Sequence, residues 1–400
     1  MVYRTEFKGM PMSALGFGTM RLPLIPGGKG KDIDQAAVDE MVDYALAHGV
    51  KYFDTAAPYH ESYSEISIGK ALSRYPRNSF CLADKYPGHQ IMSTYDPKAT
   101  FEEQLQKCGV EYFDFYLLHN VNEFSLPTYL DERWGIQKYF VEQKKLGRIK
   151  HLGFSCHGDV PCIEKFLAVY GNDMEFCQIQ LNYLDWTLQN AREKYEFLTE
   201  RGLDVWVMEP VRGGKLASLS DEATDQLKAL RPDESIPAWA FRFLQGLPNV
   251  KMILSGMSSL DQMKDNVRTF EERLPLNEEE TETVLKLVEK LKAAVPCTAC
   301  RYCTKGCPAK LDIPAIIRLY NDAKFYPSMN TGMKWDSLGE SGSIENCISC
   351  GQCERMCPQG ISIPKLLPEI RSVREKLPNW SELCREREEA AKRARENAAK

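Results

Sequence analysis

Four hundred residues, 43% apolar and 27% charged, describe an ordinary soluble globular chain with room for two domains and a sizeable core. A net charge of −5 and a pI near 5.9 argue against a nucleic-acid partner, which would favour a basic face. No apolar run reaches the length of a membrane span, and the start Met1-Val2-Tyr3-Arg4-Thr5-Glu6 lacks the apolar stretch of an export signal, so neither a membrane nor a secreted location is expected.

From about residue 13 to 270, short apolar runs alternate with amphipathic stretches. Candidate strands are Ala14–Phe17, Tyr52–Asp54, Phe80–Ala83, Phe113–Leu118, His151–Phe154, Phe176–Ile179, Val205–Met208 and Lys251–Leu254. Candidate helices are Asp34–His48, Ser64–Ser73, Pro97–Cys108, Tyr139–Leu146, Pro161–Val169, Ala191–Arg201 and Leu260–Phe270. Eight strand-then-helix units predict an α/β fold, a closed (β/α)8 TIM barrel over residues 1–275. The competing doubly wound sheet would place G-x-G-x-x-G after its first strand, whereas Gly16-Phe17-Gly18 runs into Thr19-Met20-Arg21. Beyond the barrel we expect a helical connector (276–295, with Asn277–Lys292 charged and helical). A small, mainly helical ferredoxin-like dicluster domain (296–380) follows, with a helix at Ala315–Tyr320, and then a charged helical tail (381–400).

In a barrel of this kind the chemistry sits at the carboxyl ends of the strands. Strand two ends in Asp54, followed by Thr55-Ala56-Ala57-Pro58-Tyr59; strand three ends in Asp84-Lys85; strand four ends in His119. Each alone has a dull explanation: a cap, a rim lysine, a satisfied core histidine. Together they form a proton-transfer set. An adjacent ammonium would lower the pKa of a tyrosine, a carboxylate would hold that ammonium, and a histidine could hydrogen-bond a substrate carbonyl. Strand five ends in Ser155, strand six runs through Gln178 to Asn182, and strand seven ends in Glu209. Tyr86, Trp134 and Trp186 follow strands three, four and six and are candidate pocket walls.

The last third holds eight cysteines in two runs fifty positions apart. Cys297, Cys300, Cys303 and Cys307 precede Pro308; Cys347, Cys350, Cys353 and Cys357 precede Pro358. Each run reads C-x2-C-x2-C-x3-C-P, the spacing that wraps thiolates around a 4Fe–4S cube. The repeat continues past the prolines, with Leu311, Ile313 and Pro314 echoed by Ile361, Ile363 and Pro364. Zinc leaves the third closely spaced cysteine unexplained, and a disulfide framework suits a small secreted chain. By the rule for two-cluster ferredoxins, Cys297, Cys300, Cys303 and Cys357 would hold one cluster, and Cys347, Cys350, Cys353 and Cys307 the second. The other cysteines (Cys81, Cys108, Cys156, Cys162, Cys177, Cys384) lack ligand spacing and read as small buried apolar residues. Clusters that need free thiolates point to a reducing cytoplasm.

The segment Phe53-Asp54-Thr55-Ala56-Ala57-Pro58-Tyr59, with Lys85 and Leu117-Leu118-His119 behind it, resembles the aldo-keto reductase superfamily. With the cysteine module attached, the chain resembles that family's iron–sulfur-containing branch. The resemblance implies a nicotinamide-dependent oxidoreductase acting on a small carbonyl or alcohol, with a tetrad of Asp54, Tyr59, Lys85 and His119 and Tyr59 as general acid. It implies NADP or NAD held at the carboxamide by Ser155 and Gln178; Cys156 stands where the family has Asn. Met208 stands in the place of a stacking tyrosine. Glu209, Pro210, Arg212, Gly213 and Gly214 resemble a pyrophosphate-side loop, and Ser255, Gly256, Gln262 and Asn266 the region of the 2′-phosphate clamp. Gly256-Met257 and Gln262 lack the clamp's positive charges, which leaves NAD against NADP open.

A hydride carries two electrons and each cluster accepts one. No flavin motif is present, so three readings stay open: a flavin at the barrel mouth, structural clusters, or docking of an external electron carrier. The alternative to a carbonyl reductase is an electron-transfer protein or subunit. A purely structural protein would require the tetrad to be coincidental.

Overall fold

The computed structural model describes residues 1–90, 94–122, 125–188, 190–291, 295–325, 332, 335–336 and 338–377. Two compact units divide the chain: Met1–Leu219 with Ala223–Val288, and Ser220–Glu222 with Glu289–Lys400.

The first unit is a closed barrel of eight parallel strands. They are β3 (Leu15–Gly18), β4 (Tyr52–Asp54), β5 (Cys81–Tyr86), β6 (Phe113–Val121), β7 (Ile149–Cys156), β8 (Phe176–Gln180), β9 (Asp204–Met208) and β10 (Val250–Ser255), in that order around the wall, with β10 pairing back to β3. All eight expected strands are present, because each carries a local apolar run bounded by helix-start signals. Those signals act as caps. Asp34 accepts from the Ala37 N–H at the head of α1 (Gln35–Ala47), and Asp96 accepts from the Ala99 N–H at the head of α3 (Pro97–Cys108), with proline at its first turn. Between them α2 (Ser64–Leu72) follows β4. Gly69 lets α2 lie against α3: a Cβ there would stand 2.4 Å from the Cys108 carbonyl oxygen.

Several elements lay outside the sequence reading, the helix Asp221–Leu230 among them. An antiparallel hairpin, β1 (Arg4–Phe7) and β2 (Met10–Ser13), turns through Lys8 and Gly9, both left-handed. It carries Phe7, fully buried, onto Trp206 (4.9 Å between ring centroids), His151 (5.0 Å) and Phe115 (5.8 Å). Together with Tyr52, Phe176 and Met252 these side chains fill the barrel end opposite the candidate site. Strands of four residues leave too little periodicity to read. The helix Ile236–Gln245 was also unforeseen: Ala238 to Gln245 are all buried, so no 3.6-residue alternation marks it.

The helix Glu278–Leu291 opens with a reciprocal cap, in which the Glu280 N–H donates to Asn277 and the Asn277 N–H donates to Glu280. In the second unit the fifty-residue repeat persists as structure. Tyr302–Lys305 and Ile313–Phe325 are echoed by Gln352–Arg355 and Ile363–Glu375. The two long helices share a core of Leu311, Ile313, Ile317 and Tyr320 with Ile361, Ile363, Leu367 and Ile370. The expected helix Ala315–Tyr320 is the middle of Ile313–Phe325. Cys384 and the tail beyond Arg385 lie outside the described residues. Among the described residues, no helix is long and apolar enough to cross a membrane.

Candidate active site

At the carboxyl end of the barrel, Asp54 closes β4 and Lys85 lies one residue from the end of β5. The two strands are neighbours, so both side chains enter the same space. The Lys85 ammonium, with no exposed surface, donates to Asp54 Oδ1 at 2.5 Å and to the Thr55 carbonyl at 2.7 Å. A buried ammonium needs such partners, since an unpaired charge at this depth would lose its proton. Burial raises the Asp54 pKa; the Lys85 charge and hydrogen bond oppose that rise.

Tyr59 stands above this pair on a short turn, with the Lys85 Nζ 5.0 Å from its ring centroid. Three non-glycine residues after it, His60, Glu61 and Ser62, are left-handed with φ of 50, 55 and 71°. Such strain persists only where surroundings over-determine it. Here the His60 ring clamps the turn: Nε2 accepts from the Leu22 N–H (3.1 Å), and Nδ1 meets the Gly30 carbonyl (2.9 Å), so Nδ1 carries the proton. A buried hydroxyl chain supports the floor, with Ser64 Oγ bonded to Thr19 (2.6 Å) and Thr55 (2.9 Å). Neither His60 nor this chain was legible in the sequence, because each acts through residues far away in number.

The sequence reading expected Lys85 to lower the Tyr59 pKa. In the structure the opposite balance holds. Burial first, then the charges of Asp54, Glu209 and Asp84, push the phenol well above its usual value. Tyr59 is therefore a protonated donor at neutral pH.

His119 is buried in β6, and its ring meets Tyr59 edge-on at 6.1 Å. The register of β6 on β7 slips between Leu118 and Val121, an extra residue that re-aims this stretch. Tyr129 donates its hydroxyl to the His119 carbonyl, and the His89 ring packs 4.5 Å away. Burial, then His89, Lys85 and His157, hold the imidazole well below its usual pKa, so it is neutral.

Around the mouth, Ser155 on β7 and Gln178 on β8 are in register. Both are buried, and Ser155 Oγ and Gln178 Oε1 find no protein partner. A hydroxyl beside an amide oxygen, both unsatisfied, matches a primary carboxamide. Gln178 Nε2 lies 3.6 Å from the Met208 sulfur. Glu209 is left-handed (φ 58°) before Pro210, its Oε2 has no protein partner, and burial raises its pKa to about 7. Arg212 turns inward to a buried ion pair with Asp185 (3.0 Å), which also receives Gln180 and Asn182 at 2.8 and 2.7 Å. Its Nη2 has no protein partner. Gly213 and Gly214 follow, both left-handed. On the far side Asn266 donates to Ser255 Oγ (3.0 Å), and Gln262 Oε1 accepts from the Ser258 N–H (2.8 Å). Arg21 was missed by sequence reading: a Cβ on Gly256 would stand 3.5 Å from the carbons of its side chain, and its charge is the first to oppose the rise at Glu209.

The proposed pocket aromatics fare unevenly. Tyr86 is fully buried and packs on Phe140 (5.1 Å), in the strand–helix layer rather than on a pocket wall. Trp186 packs on Phe243 and Tyr195, and Trp134 on Tyr95.

Residues 14–289 match the aldo/keto reductase family, well over half of the chain. The chain belongs to that family. Residues 296–363 match the 4Fe-4S dicluster domain, so this family member carries an added iron–sulfur module. A probable aldo-keto reductase of Glycine max is 27% identical over 215 residues, 52% of this chain and 58% of that protein; this chain thus spans little more than half of it. An NADH-specific methylglyoxal reductase of Escherichia coli is 23% identical, over 64% of this chain and 89% of the relative. In fold, an aldo-keto reductase of Bacillus halodurans (holo form) superposes with a TM-score of 0.56 at 24% identity, over 72% of this chain and 96% of that one. This aldo-keto reductase chain is an oxidoreductase by family.

In its dicluster module the eight cysteines line two separate hollows. One is bounded by Cys297, Cys300, Cys303 and Cys357, the other by Cys307, Cys347, Cys350 and Cys353. Among the described residues no group of three or more His, Cys, Asp or Glu converges on a single metal ion. A cube, being wider than an ion, needs such a ring of thiols around a hollow. Left-handed residues shape both loops, and the Ser349 N–H points at Cys347 Sγ (3.4 Å). Of the remaining cysteines, Cys108, Cys156, Cys162 and Cys177 are buried and Cys81 is partly so.

Proposed function

We propose that the barrel reduces a small aldehyde or ketone with NADH or NADPH. The observation that carries this is the Asp54–Lys85 pair beneath the Tyr59 ring, with His119 edge-on beside it. Ser155 and Gln178 would hold the nicotinamide carboxamide, with Met208 at the ring. Glu209, Pro210, Arg212, Gly213 and Gly214 would stand on the pyrophosphate side, and Ser255, Gly256, Gln262 and Asn266 on the adenosine side. The cofactor supplies a hydride when bound.

The residues of this chain do the rest. Neutral His119 donates a hydrogen bond to the substrate carbonyl oxygen and fixes its angle. Tyr59, still protonated, passes its proton to that oxygen as negative charge develops there. The Lys85 ammonium stabilises the phenolate left behind, and Asp54 keeps Lys85 charged and in place. In the reverse direction the phenolate takes the proton of an alcohol.

The test is Tyr59→Phe, assayed with methylglyoxal as probe substrate. General acid catalysis contributes about 10²–10⁴-fold, so turnover should fall by at least a hundredfold while nicotinamide binding persists. Unchanged turnover would show the site to be misassigned. NADH and NADPH titrations of the same protein decide the cofactor.

In the same reading Cys297, Cys300, Cys303 and Cys357 would hold one 4Fe–4S cluster, and Cys307, Cys347, Cys350 and Cys353 the second, in a cytoplasmic protein. The two cysteine-lined hollows favour a second role, as an electron-transfer protein or subunit in which a flavin or an external carrier divides the electron pair. Serine at Cys300 and Cys350 separates the two. Carbonyl reduction that survives makes the clusters dispensable to hydride chemistry, whereas lost turnover with a ferredoxin donor favours electron transfer.

A further inference from the structure

The dicluster module repeats itself down to its backbone. Ala299, Arg301 and Lys310 are left-handed, with φ of 57, 65 and 53°; their counterparts fifty positions on, Ser349, Gly351 and Gly360, have 53, 72 and 61°. Hydrogen bonds repeat as well, with the Cys307 N–H donating to the Thr304 carbonyl and the Cys357 N–H to that of Glu354, both at 3.2 Å. The module therefore offers two loops of one conformation, and only their surroundings differ.

That difference is large. Thr298, inside the first C-x2-C, is 4% exposed; its counterpart Ile348 is 68% exposed, more than any other large apolar side chain among the described residues. Cys300 is partly buried, whereas Cys350 is the one exposed cysteine among the described residues. Leaving an isoleucine in water forgoes the stabilisation of burying it, and the first loop shows that a covered polar residue suits the same backbone. One exposed apolar residue is ordinary on a protein surface; this one stands two residues from an exposed cysteine of the second hollow, where a partner approaching that cysteine would meet it.

We propose that the Cys347–Cys350 loop is the electron port of the module. A one-electron carrier protein with an apolar patch beside its own redox centre docks briefly on Ile348. It exchanges electrons through the cluster that Cys307, Cys347, Cys350 and Cys353 would hold. This rests on the reading that both clusters are bound. One electron passes per encounter: the carrier is oxidised by one and the module reduced by one, or the reverse, and no bond forms or breaks. Electron-transfer encounters are small and short-lived, so a single apolar contact suffices. Exposed Glu345 and Arg355 give the flanks both signs of charge, which leaves the apolar contact to select the partner.

The test uses the full chain loaded with iron and sulfide, and the methyl viologen radical cation as one-electron donor, followed by stopped-flow bleaching of the cluster absorbance. A unit charge about 4 Å from the docked radical cation changes such an encounter roughly threefold at 0.1 M salt. Ile348→Glu should speed reduction by about that factor and Ile348→Lys should slow it, with both effects vanishing near 1 M salt. Lys305→Glu, on the exposed face of the first half, should leave the rate unchanged. If an Ile348 variant loses iron, Asn346→Glu and Asn346→Lys give the same comparison. Equal rates for all variants at about eight irons per chain, or a response at Lys305 alone, overturn the port while leaving the clusters standing. A chain that takes up no iron overturns the cluster reading beneath it as well.

Discussion

Lys85 Nζ lies 2.5 Å from Asp54 Oδ1, on the barrel floor directly below the Tyr59 ring. With the Thr55 carbonyl taking a second donor, two of the three ammonium hydrogens are fixed by the protein. The pair is buried, so its Coulomb attraction is weighed against a heavy desolvation cost. In the proposed reaction its value would lie in keeping a cation where the Tyr59 phenolate would form.

That balance makes the pair fragile to single changes. Asp54→Asn leaves a buried ammonium without its counterion and should cost about 3–5 kcal/mol of stability. Urea unfolding should show this, and Asp54→Leu combined with Lys85→Met should recover much of it. Equal loss in the single and double variants would mean that packing, not charge, holds this floor.

Glu209 makes stability pH-dependent. Its folded pKa is raised to about 7 by burial, above the usual 4.5. Between those values the unfolded chain has released a proton that the folded chain keeps, so stability falls as pH rises through this window. The loss is complete above pH 7 and absent below about 4.5, and amounts to the order of 3 kcal/mol. Glu209→Gln should therefore gain stability over the parent at pH 8 and match it at pH 4.5. Parallel curves for the two proteins would remove Glu209 from the account.

The two cysteine hollows predict a pattern in iron content. Cys300 and Cys357 line the same hollow, whereas Cys300 and Cys307 line different ones. The Cys300→Ser, Cys357→Ser double variant should keep about four irons, while Cys300→Ser with Cys307→Ser should damage both clusters. The reverse ranking would mean that each run of cysteines binds its own cluster.

Phe7 seals the lower end of the barrel without touching the chemistry. Phe7→Ala should cost about 3–5 kcal/mol in unfolding free energy, with little change in KM for methylglyoxal. A large kinetic effect with unchanged stability would show that the plug reaches the upper site.

Local patterns were readable where they carried their own physics. The strands of the barrel are apolar runs between capped helices, so Asp34, Asp96 and Pro97 announce their elements within a few residues. The same holds for Asp54, Lys85 and His119, polar residues at the ends of runs that should have stayed apolar. What was not readable depends on distance. The His60 clamp joins residues thirty or more positions apart. Arg21 reaches Gly256 across the closure between β3 and β10. The extra residue in β6 exists only relative to β7.

By itself the sequence determined the class of fold, the two repeated cysteine runs, and which side chains stand at the strand ends, because spacing and periodicity are properties of neighbouring residues. Only the tertiary structure decided the state of those side chains. The Tyr59 phenol keeps its proton because burial, and then the charges of Asp54, Glu209 and Asp84, push its pKa up. The two copies of one cysteine loop differ because Thr298 is covered and Ile348 is not. Desolvation and exposure are set by what packs around a residue, and no single stretch of chain contains that information.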